Sequence, residues 1–402
     1  MNLKPGTRLA APAILGAAFV LRAAYCLHSG NALIYPDEQV YHGLALQLLG
    51  GADWGQLFQY REPLYPVLVW LVYKVTGPLP LAVKLLQAAL SCGAAWLLYR
   101  SALRLFGRRA ALFALALAAF YPFTVFYDAR LLRESLLVLL GTASVCAALA
   151  PGGLTGRRLA AASLLAGIAA LAKTVFLFYW LALMAAALLL RRASLKWALL
   201  SAALFAAAVS PLAVSNYRAS GSLFLTRGQM FNLYAALAEP MDAHGAPDEN
   251  ARLMAIPEYR AGMALPEGDR DAYFSALVRR EVKERPLNFA RITAWRFAKL
   301  WRLYPYRGVE YSAGAWALLA AVSLMSDGWL IPLALWAAWR LRARAAELMP
   351  AYVYAASLTL IYSLSWSQMR YRLPIMPFFI LLAAYALPGL LARAGLIGEE
   401  NA

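Results

Sequence analysis

The sequence predicts an all-α polytopic membrane protein: about ten transmembrane helices with interfacial helices and a small helical extracytoplasmic cap. Three observations carry this. Apolar residues make up 62% of the 402-residue chain and charged residues only 15%, against roughly 45–50% and about 25% in soluble domains. The mean hydropathy is +0.57. The basic residues sit mostly as short clusters between long apolar runs, which is how membrane proteins fix their orientation. This composition excludes a disordered chain, a disulfide scaffold and a nucleic-acid-binding domain. The formal charge of +17 is an orientation signal rather than a nucleic-acid footprint. Cys26, Cys92 and Cys146 lie inside apolar runs without metal-type spacing and read as small packing residues.

A spanning helix needs about 20 mostly apolar residues, because the bilayer core offers no water to satisfy free peptide groups. Ten runs qualify: 9–28, 80–105, 110–127, 132–150, 159–173, 175–190, 197–215, 313–339, 350–366 and 373–391. The first, preceded by Lys4 and Arg8, reads as an uncleaved span rather than a signal peptide. Lys4/Arg8, Arg104/Arg108/Arg109, Arg157/Arg158, Arg191/Arg192/Lys196, Arg340/Arg342/Arg344 and Arg393 fall on alternate ends of these spans. All of them, and both termini, are therefore expected in the cytoplasm. Residues 29–79, 128–134, the neighbourhood of Lys173, 217–312 and 367–372 are expected outside. Three parts follow: an N-terminal membrane module (1–216), a cap (217–312) and C-terminal spans (313–402).

Within the first outer segment, residues 38–50 place Val40, Leu44, Leu48 and Leu49 on one helical face. Residues 63–77 are apolar but too short to span, and both stretches read as helices lying in the interface. A third such helix is expected at 286–304. The polar segment 217–312 holds fourteen Lys and Arg residues beside eleven acids. It is expected to form short cap helices without a soluble-domain core. Asp327, in Ser-Asp-Gly midway along the eighth span, is expected to mark a break in that helix.

Acids outside the cap are scarce, and most collect in the first two outer loops: Asp37, Glu38, Asp53, Glu62, Asp128 and Glu134. Asp37-Glu38 opens an interfacial helix. It reads either as a helix start that complements the dipole and the free amides, or as an acidic pair tuned by the membrane surface to act as a base or hold a metal. Arg61-Glu62 is a surface ion pair or part of a site. Glu134 enters a span, where a lone carboxylate is costly, so Arg130 or Arg61 is its expected partner. Lys173, Arg218, Arg370 and Arg372 are further outer-face cations; Arg370 and Arg372 flank a span entrance where a lipid phosphate would sit. His42 lies four residues after Glu38 on the same helix face, so Glu38, His42 and Glu62 are the candidate ligands for a divalent metal, with a packed histidine as the competing reading. No phosphate-binding glycine loop and no Cys/His array is present. No nucleotide cofactor is expected, and a group donor used here would be carried on a lipid phosphate.

These motifs resemble the GT-C membrane glycosyltransferases, in the bacterial branch related to protein O-mannosyltransferases and the aminoarabinose transferase of lipid A. The matching residues run in order along nearly the whole chain: Pro36-Asp37-Glu38 with Tyr41 and Ala45; Arg61-Glu62-Pro63-Leu64-Tyr65-Pro66; Arg130 through Glu134; Lys173-Thr174; Asn216-Tyr217-Arg218 with Asn232-Leu233-Tyr234; Glu284-Arg285-Pro286-Leu287; and Arg370-Tyr371-Arg372-Leu373-Pro374. Relatives often carry Lys or two prolines where this chain has Arg61-Glu62-Pro63-Leu64. The resemblance implies a GT-C fold and an outer cavity facing the membrane. It also implies transfer of a sugar from a polyprenyl-phosphate donor to a lipid, glycan or protein acceptor, with inversion. Asp37, with Glu38, would be the base; Arg61, Arg130, Lys173, Arg218, Arg370 and Arg372 would hold the phosphate; Tyr41, Glu62, Asp128 and Glu134 would support the pocket. The expected setting is the bacterial cytoplasmic membrane with the site facing outward. A lipid flippase or transporter, and a surface-polysaccharide polymerase or ligase, are the competing readings.

Overall fold

The computed structural model describes residues 9–221, 223–238, 249–304 and 312–396. Lys4 and Arg8, among the orientation signals, lie outside the described residues. The N-terminal half runs α1 (Ala10–Ser29), α2 (Pro36–Leu49), α3 (Trp54–Leu57), α4 (Leu64–Thr76), α5 (Pro80–Phe106), α6 (Arg108–Ala119), α7 (Pro122–Asp128), α8 (Glu134–Ala148), α9 (Gly156–Ala170), α10 (Val175–Leu189) and α11 (Leu195–Ser220). The cap holds α12 (Gln229–Ala238), α13 (Glu249–Ala255), α14 (Pro257–Ala264), α15 (Glu267–Glu284) and α16 (Pro286–Leu300). The chain closes with α17 (Ala313–Arg340), α18 (Ala345–Leu364) and α19 (Met376–Arg393), with 3-10 turns at Arg342–Arg344 and Met369–Arg372.

All ten apolar runs become helix, but they are not ten equal spans. Among the described residues, five helices (α1, α5, α11, α17 and α19) are long and apolar enough to cross a bilayer alone. The pair α6–α7, bent by 44°, makes a sixth when taken as one span. Helices α8, α9 and α10 have 15 residues each, about 22 Å at 1.5 Å per residue, short of a hydrocarbon core of about 30 Å. In α18, Glu347, Pro350 and three tyrosines dilute the apolarity.

The bend between α6 and α7 has an identifiable cause. Pro122 lacks the N–H that would bond the Ala118 carbonyl four residues back. The guanidinium of Arg22, from α1, takes over: it donates to Ala118 O (3.3 Å), Ala119 O (2.8 Å) and Thr124 Oγ1 (3.1 Å), and it pairs with Asp128. Asp128 also accepts from Ser91 and Ser135, both at 2.6 Å. Arg22 and Asp128 are both wholly buried, so the charge is balanced inside the bundle rather than left to snorkel. Asp128 therefore holds the turn together and is not among the residues lining the charged cavity at one end of the bundle.

Asp327 corrects another expectation. Helix α17 runs through it without a break. Its wholly buried carboxylate pairs with Arg372 and accepts from the Tyr121 hydroxyl at 2.8 Å. Two partners make the buried charge tolerable.

Close backbone approach sets the α9–α11 contact. A Cβ added at Gly167 would lie 2.8 Å from the Ala208 Cβ and 3.0 Å from the Phe205 carbonyl oxygen. Gly167→Val is expected to destabilise the bundle by about 1–3 kcal/mol through overpacking, read as a lower thermal midpoint in a fixed detergent.

The cap does have a small core, contrary to the expectation that it would lack one. Phe274 is fully buried among Phe231, Tyr234, Tyr259 and Tyr273. Aromatic rings bury much area per residue, so few residues suffice. Arg296 of α16 pins this cap to the membrane part, donating to Leu364 O (3.0 Å) and to Ala236 O, while Ser367 bonds back to Arg296 O at 2.9 Å.

Candidate active site

Every segment that the alternation of basic clusters put on one end contributes to a single cavity of about 510 Å³. At the opposite end, Arg344 donates to the Leu105 carbonyl at 3.0 Å, bringing two of the basic clusters together.

The loops around the cavity are stitched to one another by backbone bonds. Helix α2 starts at Pro36, well suited to a first helical turn. Glu38 reaches back to the amides of Ile34 (2.6 Å) and Tyr35 (2.7 Å) and across to the amide of Leu131 (2.7 Å). This ties the first outer loop to the 128–134 turn. Leu64 N bonds to Leu171 O at 3.0 Å, and Arg227 N to Gln59 O at 2.7 Å. The buried face of α2 is Glu38, Tyr41 and Ala45, with Tyr41 edge-on to Tyr65 of α4 at 4.8 Å. Val40 and Leu44 are only half-buried, as suits a helix lying at an interface.

Inside, Asp37 projects into the cavity and pairs with Arg370 at 2.8 Å. Arg370 also lies 3.6 Å from Glu134, so Glu134's partner is Arg370 and not Arg130 or Arg61. Glu62 accepts from Arg133 (2.7 Å) and from the amide and hydroxyl of Thr174 (2.9 and 3.1 Å). Lys173 stands over the ring of Tyr371 at 3.6 Å and of Tyr362 at 4.8 Å, a cation–π seat. Among the described residues, five cations (Arg61, Arg133, Lys173, Arg227 and Arg370) share the lining with three carboxylates. The excess of positive charge favours an anion.

The same arrangement tunes the titrating groups. Burial pushes the Asp37 carboxyl up, but Arg370, aided by Arg61 and Arg133, outweighs it and holds Asp37 below its ordinary value. Glu62 is likewise pulled down: burial opposes, and Arg133 and the Thr174 amide win. Burial, with Arg133 and Arg370 nearby, pushes the Lys173 ammonium well below its ordinary value, although Glu134 and Glu62 pull the other way.

Of the sequence candidates, the cavity brings together Asp37, Tyr41, Arg61, Glu62, Glu134, Lys173 and Arg370. Five others belong elsewhere, Asp128 in its buried pair with Arg22 among them. Glu38 is wholly buried on three backbone amides and presents no free oxygen to a substrate. Arg130 is turned away to Ser29 Oγ (3.0 Å) and stacks on Phe126. Arg372 is 2% exposed, committed to Asp327 and to the Leu300 and Arg302 carbonyls. Arg218 lines a separate surface groove with Asp53 and Trp54. The metal candidates do not converge either: His42 is hydrogen-bonded to the Tyr73 hydroxyl at 2.8 Å, and Glu38 and Glu62 are engaged as described. Among the described residues no three His, Cys, Asp or Glu side chains gather into a metal-holding group.

Arg133 and Arg227 also line the cavity, and the sequence reading singled out neither. Arg133 lay within the quoted motif, beside Glu134, and its direction depends on a turn. Arg227 comes from the cap with no local motif to announce it.

Long apolar helices, shorter helices beside them and a charged cavity at one end define a class: a multi-pass membrane protein. In sequence, residues 61–214 match the family described as dolichyl-phosphate-mannose-protein mannosyltransferase. Among solved structures, the chain is similar to ArnT from Cupriavidus metallidurans bound to undecaprenyl phosphate, at 18% identity and a TM-score of 0.58, over 95% of this chain and 60% of ArnT. It is also similar to the oligosaccharyltransferase AglB from Archaeoglobus fulgidus in complex with an inhibitory peptide and a dolichol-phosphate, at 14% identity and a TM-score of 0.51, over 96% of this chain and 52% of AglB. The chain thus spans about half to three-fifths of the length of these structures. No curated protein sequence matches it.

Proposed function

We propose that the protein transfers a sugar from a polyprenyl-phosphate donor to a hydroxyl acceptor at the extracytoplasmic face, with inversion. The carrying observation is the cavity itself, where Asp37 lies against Arg370 and faces the cations of the 61, 133, 173 and 227 loops. The phosphate is held by Lys173, Arg61 and Arg227, while Arg133 is engaged by Glu62. As the bond between the anomeric carbon and the phosphate oxygen breaks, negative charge grows on the leaving phosphate, and fixed guanidiniums stabilise it more than the ground state. The ionised Asp37 accepts the acceptor's proton as its oxygen bonds the anomeric carbon. The departing phosphate is already an anion, so leaving requires little protonation.

An apolar groove of about 1000 Å³ runs between α16, α17, α18 and α19. Its α18 wall carries Thr359, Leu360 and Ser363, while Ile361, Tyr362 and Ser365 of the same segment line the cavity. A long prenyl tail lying there would bring its phosphate towards Lys173. A transporter would want mobile midplane charges, whereas Arg22, Asp128, Asp327 and Arg372 are locked in buried pairs.

The test is to incubate the purified protein in bilayers with a panel of prenyl-phosphate sugars and follow release of prenyl phosphate. Consumption of one member is expected; consumption of none overturns the proposal.

The titration shifts add a second expectation. Asp37 sits below its usual carboxylate value, so the acid limb of the rate profile falls below about pH 4. Lys173 loses its proton at lower pH than an ordinary lysine. Donor KM should therefore rise on the alkaline side, well before about pH 10.4. Lys173→Arg, which keeps its charge, should remove that limb when donor KM is measured against pH.

A further inference from the structure

A second pocket meets the cavity at a single side chain. It encloses about 380 Å³ between α1, α7, α17 and the 369–373 turn, with walls that include Leu21, Tyr25, Phe123, Phe126 and Val322. Among the described residues, Arg370 is the one side chain that lines both it and the catalytic cavity. The pocket sits at the cavity end of the bundle, since Tyr25 lies near the end of α1 and Val322 in the first half of α17. Leu21 and Phe120, on its rim, are 47% and 42% exposed, so it opens sideways to where lipid lies.

We propose that this pocket seats the hydrocarbon chain of a lipid acceptor, whose hydroxyl-bearing head passes Arg370 to reach Asp37. The inference rests on the glycosyl-transfer reading and names the acceptor class for it. Occupancy by the acceptor rather than the donor follows from the charges. Lys173, Arg61 and Arg227, which suit a phosphate, lie on the cavity side and none of them lines this pocket. Of its two arginines, Arg372 is committed to Asp327, and Arg370 is already neutralised by Asp37. A head delivered here meets a carboxylate–guanidinium pair, which hydrogen-bonds a neutral hydroxyl and offers little net charge to an anion. The pocket also has well under half the volume of the groove between α16, α17, α18 and α19, as a shorter chain requires. In the step itself the acceptor oxygen bonds the anomeric carbon and its proton goes to Asp37. The carbon–oxygen bond to the phosphate breaks, and prenyl phosphate leaves with the electron pair.

The experiment uses the full chain in bilayers and two probes with a photoreactive group at the chain end: dodecyl glucoside and farnesyl phosphate. Dodecyl glucoside is expected to label Leu21, Phe123 and Val322, and Val322→Trp to cut that labelling at least tenfold while leaving farnesyl phosphate labelling unchanged. Leu21→Trp fills the mouth from the opposite wall and serves where Val322→Trp does not fold. Farnesyl phosphate labelling of these residues would make the pocket a donor seat and overturn the proposal. So would glucoside labelling no stronger there than at Leu189, which is 82% exposed. Release of prenyl phosphate from the donor panel, measured on the same preparation, separates the two failures: if it persists while the pocket is unlabelled, only the acceptor seat falls.

Discussion

Asp37→Asn is expected to lower sugar transfer by about 10²–10⁴-fold, the usual contribution of a positioned base, while donor binding survives. The substitution keeps shape and removes the negative charge. Asparagine cannot take the acceptor's proton, so kcat falls. The cations that hold the phosphate gain rather than lose net charge, so donor affinity should hold or tighten. Rates with a consumed prenyl-phosphate sugar, set beside donor binding to the same variant, check both halves. Unchanged turnover would remove Asp37 from the chemistry.

Arg372→Ala should instead act on stability. It leaves the Asp327 carboxylate buried with only the Tyr121 hydroxyl, and it frees the Leu300 and Arg302 carbonyls at the end of the cap helix α16. Removing one partner of a buried pair costs about 3–5 kcal/mol. In a membrane protein the lower part of that range is expected, because the unfolded chain also finds partners there. The midpoint of thermal unfolding should drop sharply. Asp327→Asn/Arg372→Gln, which removes both charges, should recover part of the loss. Donor affinity of the folded fraction should be nearly unchanged; a selective loss of donor binding without loss of stability would restore Arg372 to the phosphate site.

The contrast between Arg370 and Arg372 shows where sequence reading stops. Both stand in one short motif at a span entrance, and charge alone recommends both. In a turn with about three residues per turn, residues two apart point in very different directions. Arg370 faces Asp37, and Arg372 faces Asp327. The same logic separates Asp37 from Glu38, about 100° apart on α2: one reaches the cavity, the other closes on backbone amides. Arg130 turns away to Ser29 while Arg133 lines the cavity, because the 129–133 turn decides which guanidinium faces inward.

What was legible had a one-dimensional cause. Apolar run lengths gave the helices, basic clusters gave the alternation of ends, and the scarcity of acids drew attention to Asp37, Glu62 and Glu134. What was hidden depends on distant partners. Arg22 looked like part of an ordinary first span until Asp128, 106 residues away, supplied its countercharge. Asp327 suggested a helix break because its partner lies 45 residues further on. The bend at Pro122 and the aromatic core around Phe274 likewise follow from packing rather than from any local pattern.

On the proposed function, the cavity binds a lipid through its anionic head. Purified protein titrated with a prenyl phosphate and with the prenyl alcohol of the same chain tests this directly, in the wild type and in Arg61→Ala and Lys173→Ala. The phosphate is expected to bind far more tightly than the alcohol, and each variant to narrow that gap. Equal affinity for phosphate and alcohol, or a gap untouched by both substitutions, would contradict it.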